Sequence, residues 1–469
     1  MTGQPNLLFV MADQMRADAL GVVNGWSRTP HLDRLAGEGV LVRGMISNSA
    51  ECVPARLSLA AGQYPHQTGC DENVACTLSP AFPNWMQAVE AAGYRTAVFG
   101  KTHLHPHRGD LRERVHLLHA YGLQVVEETA GPHASAHVAS AMTDEWSELG
   151  LWERYREDVV ERVRTGRHVS RPSPLGVEHH YDTWVGRRAA RFLAGVAADR
   201  PWFCWVGFGG PHEPWDAPEP YASLHRLDEV PPPLPRLRDS QRIRGLLRRG
   251  FDSPLTSPGL EPELVRALRR DYAGKVALID DQVGALLAVV RQRGEAERTL
   301  VLFTSDHGEM NGDQGLLYKA NFLDPVIQLP LVVRPPASSG VRPGRRVDTV
   351  AELMDVGATL VDYAGGRLPA PSLARSLRAV IEGETAACRD VAVCEFRGHT
   401  AVVDSDWKLE VDPDGEPVLL FDRRRDPAEQ EDVLGDARHA GVVAALRERL
   451  AEHVAATPAP RERVATVER

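Results

Sequence analysis

The most chemically suggestive spacing in the chain is Cys52-Val53-Pro54-Ala55-Arg56, a cysteine two residues before a proline and an arginine two residues after it. Proline suits the first turn of a helix, Leu57 to Ala61 are mostly good helix formers, and Gly62 can stop the run. Cys52 is then expected at a helix N-terminus, where backbone N–H groups and the macrodipole stabilise an anion. A packing cysteine at a turn is the alternative reading of these residues alone. Four further polar clusters carry groups able to bind metal or move protons: Ala12-Asp13-Gln14, Gly100-Lys101-Thr102-His103, Gly210-Pro211-His212-Glu213 and Ser305-Asp306-His307-Gly308.

Each of those four clusters follows a short apolar run, at residues 6–11, 96–99, 202–208 and 300–304. Such runs have the look of strands buried on both faces of a parallel sheet. In open α/β sheets ligands sit beyond the carboxyl ends of the strands, so four separate segments aim their polar residues at one edge. Helical patterns alternate with the runs: residues 85–92, and residues 271–293, where Val276, Ile279, Val283, Leu286, Leu287 and Val290 form an apolar stripe. The expected fold is α/β, with a large, mixed but mostly parallel sheet sandwiched by helices over residues 1–365. Residues 105–180, rich in Arg, Glu, His and Trp and without strand-like runs, read as an insertion above the sheet edge or as a solvated helical excursion. The Pro-rich stretch 231–258 reads the same way. Beyond 365, short runs at 391–396, 401–403, 407–411 and 418–421, then a helix at 440–453, predict a small C-terminal domain (366–469) of antiparallel sheet plus helix, its tail frayed from Pro458 on.

The cysteine motif, followed by Gly62-Gln63-Tyr64-Pro65, resembles the signature of the formylglycine-dependent sulfatases of the alkaline phosphatase superfamily. The opening strand with Asp13, Gly-Lys-x-His at 100–103, Pro-His-x-Pro at 211–214, Ser-Asp-His-Gly-Glu at 305–309, the late Lys319, and Leu420-Phe421-Asp422 with Asp426-Pro427-Ala428-Glu429 resemble further family elements, in the family's order from about residue 6 to 450. The resemblance implies hydrolysis of a sulfate monoester, releasing sulfate and an alcohol, with Cys52 oxidised to formylglycine as nucleophile. It implies one divalent cation on Asp13, Gln14, residue 52, Asp306 and His307. Arg56 would hold the residue-52 hydroxyl and the metal aspartates, Lys101 and Lys319 would clamp the sulfate oxygens, and His103 would assist collapse of the covalent ester. His212 would protonate the leaving alcohol, and Asn73 would face the substrate.

The chain departs from the common family pattern by Gln14 in place of a second aspartate and His307 in place of an asparagine. Both still offer a ligand atom, but the site is less negative. Calcium is the first expectation, and manganese becomes credible because it accepts imidazole. Taken singly, Asp13 could cap a helix, Lys101 and His103 could be loop residues, and His212 a turn histidine. His105 and His107 are expected in a solvated loop, Cys70 and Cys76 as packing thiols, and Trp184, Trp205 and Trp215 in the core rather than on substrate. The main rival activity is that of a phosphonate monoester or phosphodiester hydrolase of the same superfamily. Those relatives tend to lack the Lys-x-His pair. A catalytically idle binding homologue would be expected to have lost Cys52, Arg56, Asp306 or His212.

A formal net charge of −10 argues against a nucleic-acid partner. No apolar run has the length of a membrane span. Six cysteines in 469 residues, without a CxxC pair, make neither a disulfide framework nor a structural zinc site. No secretory leader pattern is visible at the start, so a cytoplasmic protein is expected. Its partners are expected to be the small sulfate ester and, transiently, a formylglycine-generating enzyme; no sequence feature sets an oligomeric state.

Overall fold

A computed structural model of the protein describes residues 3–166, 168–235 and 259–468. Its central sheet uses β1 (Asn6–Asp13), β2 (Val40–Ile46), β4 (Arg95–Gly100), β5 (Val125–Glu128), β6 (Trp202–Pro211), β7 (Thr299–Ser305), β8 (Gln328–Arg334) and β9 (Arg345–Glu352); the short β3 (Cys76–Leu78) lies apart from it. The spatial order is β5-β4-β6-β1-β7-β8-β2-β9. Strands β5, β4, β6, β1 and β7 run parallel, β8 is antiparallel to both β7 and β2, and β2 pairs parallel with β9. The sheet is therefore mixed and mostly parallel.

Strand β1 shows why its sequence reads as continuous apolar. Leu8, Val10 and Ala12 pack into one hydrophobic cluster, while Leu7, Phe9 and Met11 pack into another on the opposite face. The first cluster takes in the whole predicted stripe Val276, Ile279, Val283, Leu286, Leu287 and Val290 of the helix Pro262–Gln292. The second takes in Trp85, Met86 and Val89 of the helix Trp85–Ala91 and Val356 and Leu360 of the helix Asp355–Tyr363. With helices on both faces, only the strand ends can expose chemistry. Beside the central sheet, β10 (Ala392–Phe396), β11 (His399–Val403), β12 (Trp407–Val411) and β13 (Pro417–Asp422) form an antiparallel meander, followed by a helix Ala440–Ala456.

Two expectations are corrected. Residues 105–180 are not free of strand: β5, only four residues long, extends β4 at the sheet edge. Its two valines followed by two glutamates are too short an apolar stretch to register as a run. The tail is not frayed throughout either, since β14 (Ala465–Val467) pairs antiparallel with β3, and Val464 and Ala465 are buried among apolar side chains. Glu468 then meets Arg108 and, at 3.0 Å, Arg114. Of the stretch 231–258, residues 236–258 lie outside the described residues. No helix among the described residues is long and apolar enough to cross a membrane.

Candidate active site

Asp13 ends β1, Lys101 and His103 follow β4, His212 follows β6, and Asp306 and His307 follow β7. The sheet thus delivers all of them to one edge, as its topology predicts. Gly100 is needed for this: its φ is 92° and a Cβ there would lie 2.0 Å from the carbonyl oxygen of Gly207. Cys52 is the first residue of the helix Cys52–Ala61, with Pro54 in its first turn and Gly62 (φ 64°) at its end.

Four groups converge tightly. Asp13, Cys52, Asp306 and His307 each place one ligand atom within 4.8 Å of the others, and all four are buried. The Cys52 Sγ lies 3.0 Å from His307 Nε2 and 3.7 Å from Asp13 Oδ1. Lys319 Nζ donates to Cys52 Sγ at 3.0 Å and to Gln14 Oε1 at 2.8 Å, and Lys101 Nζ pairs with Asp13 Oδ2. Arg56, fully buried, donates through Nε to Asp306 Oδ2 at 2.7 Å and through Nη1 to the Lys101 carbonyl at 2.9 Å. Its Nη2 has no hydrogen-bond partner among the described residues, a buried donor still to be satisfied.

Burial alone would raise the Cys52 thiol, but the charges of Lys101, Lys319 and His307, with a hydrogen bond from His103, hold it well below its ordinary value. Burial and the Cys52 charge push Asp13 up, yet Lys101, His212 and Arg56 bring it down as an anion. Burial likewise opposes the charge on Lys319, but Cys52, Asp13 and Glu213 raise its pKa. Burial and the Lys101 cation keep His103 well below the ordinary histidine value, so its ring is neutral at pH 7. Two carboxylates, one imidazole, one amide oxygen and an anionic residue 52 are a donor set that suits a single divalent cation of the calcium or manganese kind.

His212 hydrogen-bonds through Nδ1 to the Glu213 carbonyl at 2.8 Å, with Glu213 Oε2 3.2 Å away. Its backbone N–H donates to Asp13 O at 3.2 Å, tying it to the end of β1. Asn73 lies beside Cys52 but its Oδ1 accepts the Val53 N–H at 2.9 Å, capping the helix that carries residue 52. His105 and His107 are not solvated: His105 Nε2 meets Glu128 Oε2 at 2.7 Å, His107 Nε2 meets Oε1 at 3.2 Å, and both side chains are buried. Glu128, at the end of the unexpected β5, supplies the buried acceptor. Trp184, Trp205 and Trp215 are in the core, as are Cys70 and Cys76.

Three residues without an expected role also sit here. Gln14 Nε2 donates to Glu213 Oε2 at 3.0 Å and to Glu309 Oε2, so the amide bridges two buried carboxylates; a carboxylate at 14 could donate to neither. Tyr272 donates to the Gln14 carbonyl at 2.7 Å and fixes its backbone, whose φ is 67°. Glu213 is the variable position of Pro-His-x-Pro and Glu309 closes the Asp306 motif, so both stood in quoted motifs. Tyr272 had only its place on a helix.

The family model described as Sulfatase matches residues 5–366. The chain belongs to the sulfatase family. A second model, the C-terminal region of N-sulphoglucosamine sulphohydrolase, matches residues 312–456. Sulfatases are sulfuric ester hydrolases, and this chain is an enzyme of that class by family. Among its relatives, an arylsulfatase of Clostridium perfringens is 26% identical, the match covering 93% of this chain and 91% of that protein. A choline-sulfatase of Rhizobium meliloti is 26% identical over 91% of this chain and 82% of its own length. Among solved structures, the phosphonate monoester hydrolase of Agrobacterium radiobacter superposes with a TM-score of 0.81 at 25% identity, covering 99% of this chain and all of that one.

Proposed function

We propose that this sulfatase-family chain hydrolyses a sulfate monoester, using residue 52 matured to formylglycine and one divalent cation held by Asp13, Gln14, residue 52, Asp306 and His307. The convergence of four buried ligand atoms within 4.8 Å, with Lys101, Lys319 and Arg56 against them, carries the reading. When bound, the cation supplies charge neutralisation for the sulfate oxygens and for residue 52. A hydrated formylglycine offers one hydroxyl as nucleophile and a second for release of sulfate.

The chain's own residues supply the rest. Lys319 and Lys101 hold the anionic oxygens, where charge-assisted hydrogen bonds in a dry site are strongest. Arg56 fixes Asp306 and has its Nη2 left for residue 52. His212, its Nδ1–H held by the Glu213 carbonyl, acts as general acid from the imidazolium, giving its Nε2 proton to the leaving oxygen. His103, its ring neutral beside residue 52, accepts the proton of the second hydroxyl when the sulfate is released. Calcium fits the oxygen donors best; the His307 imidazole makes manganese the alternative.

A second reading, hydrolysis of a phosphonate monoester, is favoured by the full-length likeness to the Agrobacterium radiobacter enzyme. The Lys101–His103 pair supports the sulfate reading. One experiment separates them: peptide mass spectrometry of residue 52 on protein from a host with a maturing enzyme, then kcat/KM for aryl sulfates against aryl phosphonates. Preference for the phosphonate would overturn the sulfate assignment, and full activity with unmodified cysteine would overturn the nucleophile.

A further inference from the structure

Lys319 is flanked by two residues in the left-handed region, Tyr318 (φ 65°) and Ala320 (φ 72°). Side chains disfavour that backbone, which persists only where the surroundings over-determine it. On the upstream side the Tyr318 N–H donates to Glu309, and the Met310 N–H donates to the Tyr318 carbonyl at 2.7 Å. Downstream, the loop is gripped by the small antiparallel sheet. Lys408 of β12 donates to the Phe322 carbonyl at 2.7 Å and to Asp324 Oδ1 at 2.6 Å, and pairs with the Glu429 carboxylate. Glu429 Oε2 accepts the Asp324 N–H at 2.8 Å, and Arg423 reaches Asp324 Oδ2 at 3.0 Å.

Lys408 and Glu429 are both 2% exposed, so this is a buried, hydrogen-bonded set rather than a surface ion pair. The grip also reaches the metal loop. The short helix Asp324–Ile327 receives the Gly308 N–H on the Val326 carbonyl at 2.6 Å and the Glu309 N–H on the Pro325 carbonyl at 2.9 Å. Gly308 has no room for a side chain there, since a Cβ would lie 2.0 Å from Pro325 O. One anchor at Asp324 therefore steadies the loop of Lys319 and the loop of Asp306 and His307 together.

We infer that Lys408 and Glu429 are positioning residues for Lys319, through which the C-terminal sheet completes a site to which it contributes no reacting atom. This rests on the reading of Lys319 as a sulfate-holding cation. It also gives a task to Asp426-Pro427-Ala428-Glu429, which stands outside the reaction centre.

The test is a double-mutant cycle on full-length, matured protein. Lys408→Met should lower kcat/KM for an aryl sulfate roughly tenfold or more and weaken inhibition by inorganic sulfate in parallel, because the cation is no longer aimed. In a Lys319→Ala background the same substitution should cost clearly less, the remainder being what reaches Asp306 and His307 through the Gly308 and Glu309 contacts. Glu429→Gln keeps an acceptor for the Asp324 N–H and should lose less than Lys408→Met; it completes the cycle if Lys408→Met does not fold. Equal losses with and without Lys319 would overturn the inference, because Lys408 would then act without Lys319. A fully active Lys319→Ala enzyme would instead sink the role of Lys319 on which the inference rests.

Discussion

Replacing His212 by alanine tests the proposed division of labour most directly. The ring donates Nδ1–H to the Glu213 carbonyl at 2.8 Å, so the nitrogen left for chemistry is Nε2, which has a proton to give only in the imidazolium. Its side chain is 14% exposed, against 0% for Asp306 and His307, so it stands on the outer side of the site where an alcohol departs. General acid catalysis is worth roughly 10²–10⁴-fold, or about 3–5 kcal/mol of barrier at ~1.4 kcal/mol per decade. An alkyl sulfate, whose alkoxide cannot leave unprotonated, should lose that factor in kcat/KM. A nitrophenyl sulfate, whose phenolate leaves readily, should lose about tenfold or less on the same grounds. Steady-state kcat and kcat/KM for the two esters read this out. His103→Ala should slow both esters alike if release of sulfate from residue 52 limits turnover. Equal losses in His212→Ala would refute the assignment and make Lys319 the candidate acid.

Chelation should lower both activity and Tm, with a stability loss of about 2.7 kcal/mol if the cation stands at a hundred times its Kd; Asp306→Asn should weaken metal binding more than Gln14→Ala, read by titration calorimetry. Arg56→Ala strips the partner from a fully buried Asp306 and should cost about 3–5 kcal/mol of stability by denaturant melts, along with the activity. Burial pushes Asp271 up to about 7, helped by Asp216. A carboxyl raised in the fold gives stability that is complete below the unfolded pKa and lost as pH rises through the folded one, here between about 4 and 7. Asp271→Asn should therefore gain stability relative to the parent on going from pH 5 to pH 8, by about 3 kcal/mol at most; a parallel pair of Tm–pH curves would refute it.

The four strands ending in polar clusters were legible because their core-facing and solvent-excluded residues leave no polar interruption, and each motif sits at a strand end. Strands β2 and β8 were not. Arg43-Gly44 breaks β2 at an irregularity in its pairing, and Pro330 interrupts β8. Asp13, Asp306 and His307 are brought together at Cys52, while Asn73, expected to face substrate, has its Oδ1 on the helix that carries residue 52. What stayed hidden is contact between distant segments. Nothing near Gln14 announces that its amide lies between Glu213 and Glu309, nor does the spacing of His105 and His107 tell that a strand 20 residues on brings Glu128 to them.

The burial of Cys52 also acts as a clock. The side chains that close over its sulfur, His307 and Lys319, come 255 and 267 positions later in the chain. A ribosome adding ~5–20 residues per second needs roughly 13–53 s to reach them. For that interval the motif is in the nascent chain without its lid. If residue 52 is matured as proposed, the modifying enzyme has those seconds, and synthesis slowed downstream of the motif should raise the modified fraction.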